Sequence, residues 1–256
     1  MQKLKIICLN VWLGGKKWEA MVEFLLAEKP DILALQEAYR SSDDTLEPRF
    51  QTVQRLSQIL GLPYTAFAPT FTQNDSKLEQ GNAVLSAYPI RSQNVTFFDV
   101  PFGVLQDNES DATRVPRNLQ QVTIDVHGQD LHVFNTQGIW GFDGKDNPRR
   151  LAMCQKTAEI IQDISPTILC GDFNVDERTA SIATLEKTLH NVFKNTRQTS
   201  FNLREKKTGG FAQAIVDFLF ISPDIRILDQ YSPDVDISDH LPLVATLKLP
   251  DHKTHS

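Results

Sequence analysis

Cysteine is scarce in this chain, and it is not arranged for structural use. Cys8, Cys154 and Cys170 are odd in number, each lies in an apolar stretch, and no Cys-x-x-Cys spacing occurs. A disulfide framework and a zinc ribbon are both disfavoured. Long apolar runs are also missing; none approaches the roughly 18 residues needed to span a bilayer. The opening MQKLKIICLNVWLGG has a basic start, but its apolar run is short and no Ala-x-Ala-like cleavage site follows. It reads as a first strand, so an intracellular, cytoplasmic protein without stable membrane insertion is expected. Positive charge is in deficit, with 26 Lys and Arg against 32 Asp and Glu and a formal charge of −6. That balance argues against a broad surface gripping polyanions through many phosphate contacts, and leaves a local basic patch open. No Gly/Ser linker, low-complexity tract or short-period repeat divides the chain. One domain over residues 1–249 with a frayed tail at 250–256 is expected, and a monomer.

What is present is a core-forming chain: 256 residues, 41% of them hydrophobic. LKIICLNV (4–11) predicts a strand, Trp18, Met21, Val22, Leu25 and Leu26 fall at helical spacing before Pro30, and DILALQEA predicts a second strand. Strand, helix and strand within about 35 residues read as a βαβ unit, with Asn10 and Glu37 at the same ends of parallel neighbours. A helix is expected around 49–60, ending at Gly61, then strands at YTAFAPTF, NAVLSAYPI and VTFFDVP. LQQVTIDVHGQDLHVFNT reads as a hairpin turning near HGQD. Asn147 and Pro148 should cap a helix with Leu151, Cys154, Ala158 and Ile161 on one face. PTILCGDFN, a helix near 178–190 and the strands AIVDFLFIS and LPLVATLKL complete the chain. Strands outnumber helices in both halves, which predicts sheets packed face to face with helices outside, a layered α/β architecture.

The informative residues are polar ones at strand ends. Asp172 and Asn174 in GDFN are two positions apart, so on an extended backbone both would face one object. Asn10 ends KIICLN, Glu37 ends ILALQE, Asp217 lies in AIVDFLF, and Asp239 and His240 open SDHLPLV. Singly each has an ordinary explanation in turn chemistry, helix capping or solvation. Asp217 is the hardest to explain so, because a carboxylate in an apolar strand needs a partner, and His240 is the histidine beside the cluster. Jointly, five strands would have to end by chance in groups suited to a metal or a phosphate. Carboxylate oxygens without a Cys/His cluster suit a hard cation, Mg²⁺ or Mn²⁺, which points to metal-assisted attack on a phosphate ester.

LNVW, ILALQE, GNAVLSAYPI, GDFN, VDFLFIS and SDHLPL stand in the order and at the spacing of a known family, over residues 4 to 248. The chain resembles the endonuclease/exonuclease/phosphatase superfamily, the DNase I-like phosphohydrolases. The resemblance implies a four-layer α/β sandwich, two packed mixed β-sheets flanked by helices, with Mg²⁺-dependent hydrolysis of phosphoesters at the strand ends. It implies Glu37 as principal metal ligand with Asn10 and Asp239 nearby, and Asp172 as the base that orients or deprotonates water. Asn174 would donate to phosphoryl oxygens, and His240, held by Asp217, would stabilise their developing charge. One position departs from the pattern. Many members read Asn-Thr-His-Leu where this chain reads Asn135, Thr136, Gln137, Gly138, and Gln137 can donate a hydrogen bond but cannot protonate a leaving group. Arg117 matches an arginine that often precedes this strand, a substrate contact or else a surface ion pair. Asn82 faces either the site or its own turn, and Asn135 is grouped with them as a substrate contact. Trp12 and Trp140 would stack on a base or pack in the interior.

Substrate choice falls to the rim segments YRSSDDTLEPRF, TQNDSKLEQ, VLQDNESDATR and WGFDGKDN, three of them acidic. They disfavour a long nucleic-acid track. LREKK (203–207) reads as a solvated loop. The expectation is a phosphodiester, nucleic acid or nucleotide or a small ester. The alternatives are a sphingomyelinase-like or inositol-phosphate activity and a catalytically silent binding module of the same fold.

Overall fold

The computed structural model describes residues 3–43, 45–73, 78–105, 111–207 and 213–251. The tail from 252 onward lies outside them, as do parts of the rim segments TQNDSKLEQ and VLQDNESDATR and one residue of YRSSDDTLEPRF.

The first strand, β1 (Lys3–Asn10), shows how the layers arise. Leu4, Ile6 and Cys8 turn to one face and Ile7 and Leu9 to the other, and all five are buried. Helix α1 (Trp18–Glu28) buries Met21 and Leu25, and ends at Lys29 in the left-handed region, whose N–H caps Leu25 O, just before Pro30. Strand β2 (Ile32–Ser41) then runs parallel to β1 with Asn10 opposite Gln36. Helix α2 (Thr52–Leu60), entered through a short 3₁₀ turn and closed by left-handed Gly61, lies on the same side as α1. The strands β3 (Tyr64–Gln73), β4 (Leu78–Ser86) and β6 (Gly103–Leu105) extend this sheet on one side. The strands β12 (Arg226–Tyr231) and β13 (Leu243–Lys248) extend it on the other, in the order β12-β13-β1-β2-β4-β3-β6.

The second sheet holds β5 (Ile90–Phe97), β7 (Asn118–Val126), β8 (Gln129–Gln137), β9 (Thr167–Asp172), β10 (His190–Asn191) and β11 (Asp217–Ile221). Its order is β10-β11-β9-β8-β7-β5, with β8 and β9 parallel. The hairpin β7–β8 turns at His127 and Gly128, both at positive φ. Between the sheets lies one continuous apolar core, with Leu4, Ile6, Ala34, Val84 and Leu247 facing Val122, Val133, Ile168, Cys170 and Leu219. The outer face of the first sheet packs on α1 and α2. That of the second packs on α3 (Pro148–Ile161) and α4 (Ala180–Leu185). Helix, sheet, sheet, helix is the four-layer arrangement that the family resemblance implies. Among the described residues no helix is long and apolar enough to cross a membrane.

Four details differ from expectation, the first being that the strands expected at NAVLSAYPI and VTFFDVP fall instead at Leu78–Ser86 and Ile90–Phe97. Helix α3 starts as predicted, with the Asn147 side chain accepting from Arg150 N at 3.0 Å. Its buried stripe, however, is Arg150, Met153, Cys154, Thr157 and Ile161, because the Arg150 stem and Thr157 turn inward while Leu151 and Ala158 stay half-buried. Helix α4 is shorter than 178–190. Strands β6, β10 and β12 were not foreseen: two are only two or three residues long, and β12 is an exposed edge without an apolar run.

Candidate active site

Five strands bring their polar ends to one rim. The parallel register of β8 and β9 sets Gln137 opposite Asp172, and the antiparallel register of β11 sets Asp217 opposite Asp172. Asn10 ends β1 alongside Gln36 on β2, and β13 begins at Leu243 opposite Cys8, two residues before Asn10, which brings 238–240 to the same edge.

Glu37 does not end its strand. β2 continues to Ser41, and a bulge between Leu35 and Ala38 places Glu37 at φ 57°. A non-glycine residue at positive φ costs about 1–3 kcal/mol, and here the turn re-aims the side chain at the rim. Its Oε2 accepts from Leu13 N at 2.9 Å, and its Oε1 from Asn10 Nδ2 at 3.1 Å and Gln137 Nε2 at 2.8 Å. Asn10 Nδ2 also reaches Asp172 Oδ2 at 3.2 Å, so one amide bridges carboxylates from the two sheets. Its Oδ1 accepts from Trp12 N.

Asp172 and Asn174 meet by a tighter route than an extended strand. Asn174 is left-handed, φ 56°, its N–H bonds Asp172 Oδ1 at 2.9 Å, and its Nδ2 lies 3.3 Å from Asp172 Oδ2 and 3.2 Å from Gly138 O. The carboxamide and carboxylate therefore address each other, in an Asx-type turn. Gly138 matters here because a Cβ would stand 2.2 Å from Phe173 O.

On the far side, Asp217 Oδ2 bonds His240 Nδ1 at 2.8 Å, both side chains buried. Ser238 donates to Asn10 O at 2.7 Å, tying this segment to β1. His240 meets the Phe201 ring edge-on, centroids 4.8 Å apart. Lys206 is the residue the sequence did not foresee. The loop 203–207 is largely solvent-exposed, as expected, but Lys206 turns inward from it: its Nζ is 3.1 Å from Asp239 Oδ2 and 3.5 Å from His240 Nε2. The signal in the sequence was only a short basic run.

The electrostatics set these groups apart. Burial raises Asp172 to about 6, and Asp217 adds to the rise against the pull of His240. Burial alone would lower His240, but Asp217 overrides it and the imidazole rises to about 9. Burial likewise pushes Glu37 up, and the Leu13 N–H, the Asn10 amide and the charges of His240 and Arg117 outweigh it, leaving Glu37 below its ordinary value. Among the described residues Asp172, Asp217 and His240 have ligand-type atoms within 4.8 Å of one another. Since His240 Nδ1 is already committed to Asp217, oxygens at this rim that could take a hard cation include those of Glu37, Asp172 and Asp239, with Asn10 Oδ1 already accepting from Trp12 N.

Two candidates are placed elsewhere. Asn135 is fully buried between the sheets: it accepts from Gln36 Nε2 at 2.7 Å and donates to Leu35 O and Ala83 O at 2.9 and 3.0 Å. Asn82 is equally buried and donates to Asn118 Oδ1 at 2.9 Å. Both bond the two sheets together, and the structure does not bring them to the rim. Arg117 is buried too, which removes the surface ion pair; its Nη1 donates to Gln137 Oε1 at 2.6 Å, and burial lowers its pKa. Gln137 thus links Arg117 to Glu37. Trp12 lies under the Lys16 ammonium, and Trp140 meets Phe142, itself 80% exposed, edge-on.

A family model described as Endonuclease/Exonuclease/phosphatase family matches residues 8–240. The chain belongs to that family. Solved members of similar fold agree in extent. An endonuclease/exonuclease/phosphatase from Beutenbergia cavernae is 19% identical with a TM-score of 0.72, covering 98% of this chain and 72% of its own. One from Bacteroides vulgatus is 17% identical at 0.71, covering 97% and 100%. The Bacteroides thetaiotaomicron mannosyl-6-phosphatase is 16% identical at 0.67, covering 96% and 100%. No curated protein matches the sequence. At these identities the likeness carries the fold, and the endonuclease/exonuclease/phosphatase membership rests on the family match.

Proposed function

We propose that the protein is a Mg²⁺-dependent hydrolase of phosphoesters, with phosphodiesters ahead of monoesters and a nucleotide, a nucleic-acid end or a small diester as substrate. The observation that supports this most is the double crossing between sheets, Asn10 to Asp172 and Gln137 to Glu37, which joins oxygen ligands for a cation to a base and a charged imidazole.

Mg²⁺ or Mn²⁺, held by Glu37 with Asn10 and Asp239 nearby, would supply Lewis-acid neutralisation of charge on the phosphoryl oxygens. The chain's own groups do the rest. Asp172, raised to about 6, is ionised at neutral pH and takes a proton from an attacking water. Asn174 fixes that carboxylate by two bonds, so the base does not reorient during attack. His240 has Nδ1 occupied by Asp217 and turns Nε2 toward a non-bridging oxygen, where charge accumulates in the transition state. Gln137 positions Glu37 through its amide nitrogen and receives Arg117 at its oxygen. It supplies no proton to the leaving group, so esters with acidic leaving groups should be turned over best.

The test is hydrolysis of bis(p-nitrophenyl) phosphate and p-nitrophenyl phosphate with Mg²⁺, Mn²⁺ or EDTA, beside Asp172→Ala and His240→Ala. Metal-dependent turnover that each substitution lowers by at least about 100-fold is the expected result. Equal inertness of wild type and variants on these and on nucleic-acid and lipid-head-group esters would hand the site to a binding role.

A further inference from the structure

The segment that carries Lys206 is fastened along its length, although it forms no helix or strand. Phe201 pairs as an isolated bridge with His240, and Asn202 N donates to Asp239 O at 2.9 Å. The Asn202 amide reaches Asp236 Oδ1 at 2.7 Å and Ser238 O at 2.9 Å. Arg204 forms a two-pronged pair with Asp234, at 2.5 and 3.0 Å. Lys17 closes the far side against Glu205 at 2.7 Å and Asp236 at 2.5 Å. Lys206 N itself bonds Asn202 O at 3.0 Å. Single exposed ion pairs contribute little, but a set of them around one turn removes its freedom to swing away.

The ammonium this turn carries is then placed by three neighbours. It stands 4.3 Å from the centroid of the Phe201 ring, 3.1 Å from Asp239 Oδ2 and 3.5 Å from His240 Nε2. The last contact is the telling one. His240 Nδ1 belongs to Asp217, so Nε2 is its only outward nitrogen, and Lys206 points its own N–H groups at the same spot. Both nitrogens thus face one small space, and Asp239 Oδ2 already accepts from the ammonium on one side of it.

We propose that Lys206 is a substrate-binding residue, a second cationic donor that holds a non-bridging phosphoryl oxygen together with His240 Nε2. The proposal rests on the phosphoester reading of this site. With the ammonium and the imidazole nitrogen 3.5 Å apart, one non-bridging oxygen can accept from both without a change of fold. Lys206 thereby determines how tightly the phosphate is held, and leaves the proton transfer to Asp172.

The experiment uses the full chain with Lys206→Met, Lys206→Gln and Lys206→Arg. Two quantities are read: kcat and KM for bis(p-nitrophenyl) phosphate, and the Kd of inorganic phosphate by calorimetry, in Mg²⁺ and in EDTA. The expected result is a rise of about tenfold in both KM and phosphate Kd for Met and Gln, the loss of one charge-assisted contact. The kcat should stay within about threefold, and Arg should recover most of the affinity. Unchanged KM and phosphate Kd, with an altered Mg²⁺ affinity, would reduce Lys206 to a counterion of Asp239 and overturn the proposal. So would a wild type that binds no phosphate. A wild type that binds phosphate but cleaves no ester refutes the hydrolase reading alone, and the calorimetric comparison still decides Lys206.

Discussion

The Asp217–His240 pair joins two ionisable groups in the interior, and its contribution to stability depends on pH. His240 is raised to about 9, against an ordinary value near 6.5 in the unfolded chain. A raised imidazole contributes stability that is fully present below about 6.5 and is lost as pH rises through about 9. Urea unfolding in EDTA should therefore show stability falling across that window, and His240→Gln should flatten the slope. A slope equal in both proteins would show that His240 does not carry the proton. Removing the partner is harsher: Asp217→Ala strips the imidazolium of its counter-charge, at a cost of about 3–5 kcal/mol, readable as a lower urea midpoint. Nearly all of this set was legible in the sequence, because carboxylates and amides at strand ends stand out against apolar runs. Lys206 was not, since a lysine in a basic turn looks the same whether it meets water or Asp239.

At the scale of elements, the site depends on how the two sheets are joined. Asn135 on β8 holds Gln36, Leu35 and Ala83 of the opposing sheet, and Gln36 directly precedes Glu37. Asn135→Ala should leave several buried polar groups unpaired, each worth about 1–3 kcal/mol, and should lower turnover as well because the bulge at Glu37 loses its anchor. A thermal melt beside a kinetic assay checks both; a loss of stability with full kcat would separate the anchor from the site. Gly138→Ala should fail differently, pushing its Cβ against Phe173 O and displacing the Asp172–Asn174 turn. The sequence assigned Asn135 to the substrate because period-two alternation tells which residues share a face, not whether that face meets solvent or a second sheet. The same alternation located the βαβ start, the hairpin and the closing strands. It could not supply β12, whose exposure pattern has no apolar face to recognise, nor the bulge, which has no residue signature at Glu37.

Over the whole molecule, the candidate cation site straddles the interface between sheets: Glu37 and Asn10 come from one and Asp172 from the other. A ligand held there stabilises the folded state by mass action, about 2.7 kcal/mol at 100 times its Kd. Mg²⁺ should therefore raise the Tm of the wild type and leave Glu37→Gln nearly unmoved, whereas an equal rise in both would place the ion elsewhere. The same construction bears on the three thiols. Cys8 and Cys170 lie within the inter-sheet core and Cys154 behind the second sheet, and burial pushes the Cys154 thiol up to about 12 and Cys8 well above its ordinary value. None is accessible to a reagent while the layers stay closed. Labelling by a maleimide is thus a clock: the first two sulfurs react at the rate at which the sheets part, the third at the rate at which α3 lifts away, and mass spectrometry distinguishes the two openings in one time course.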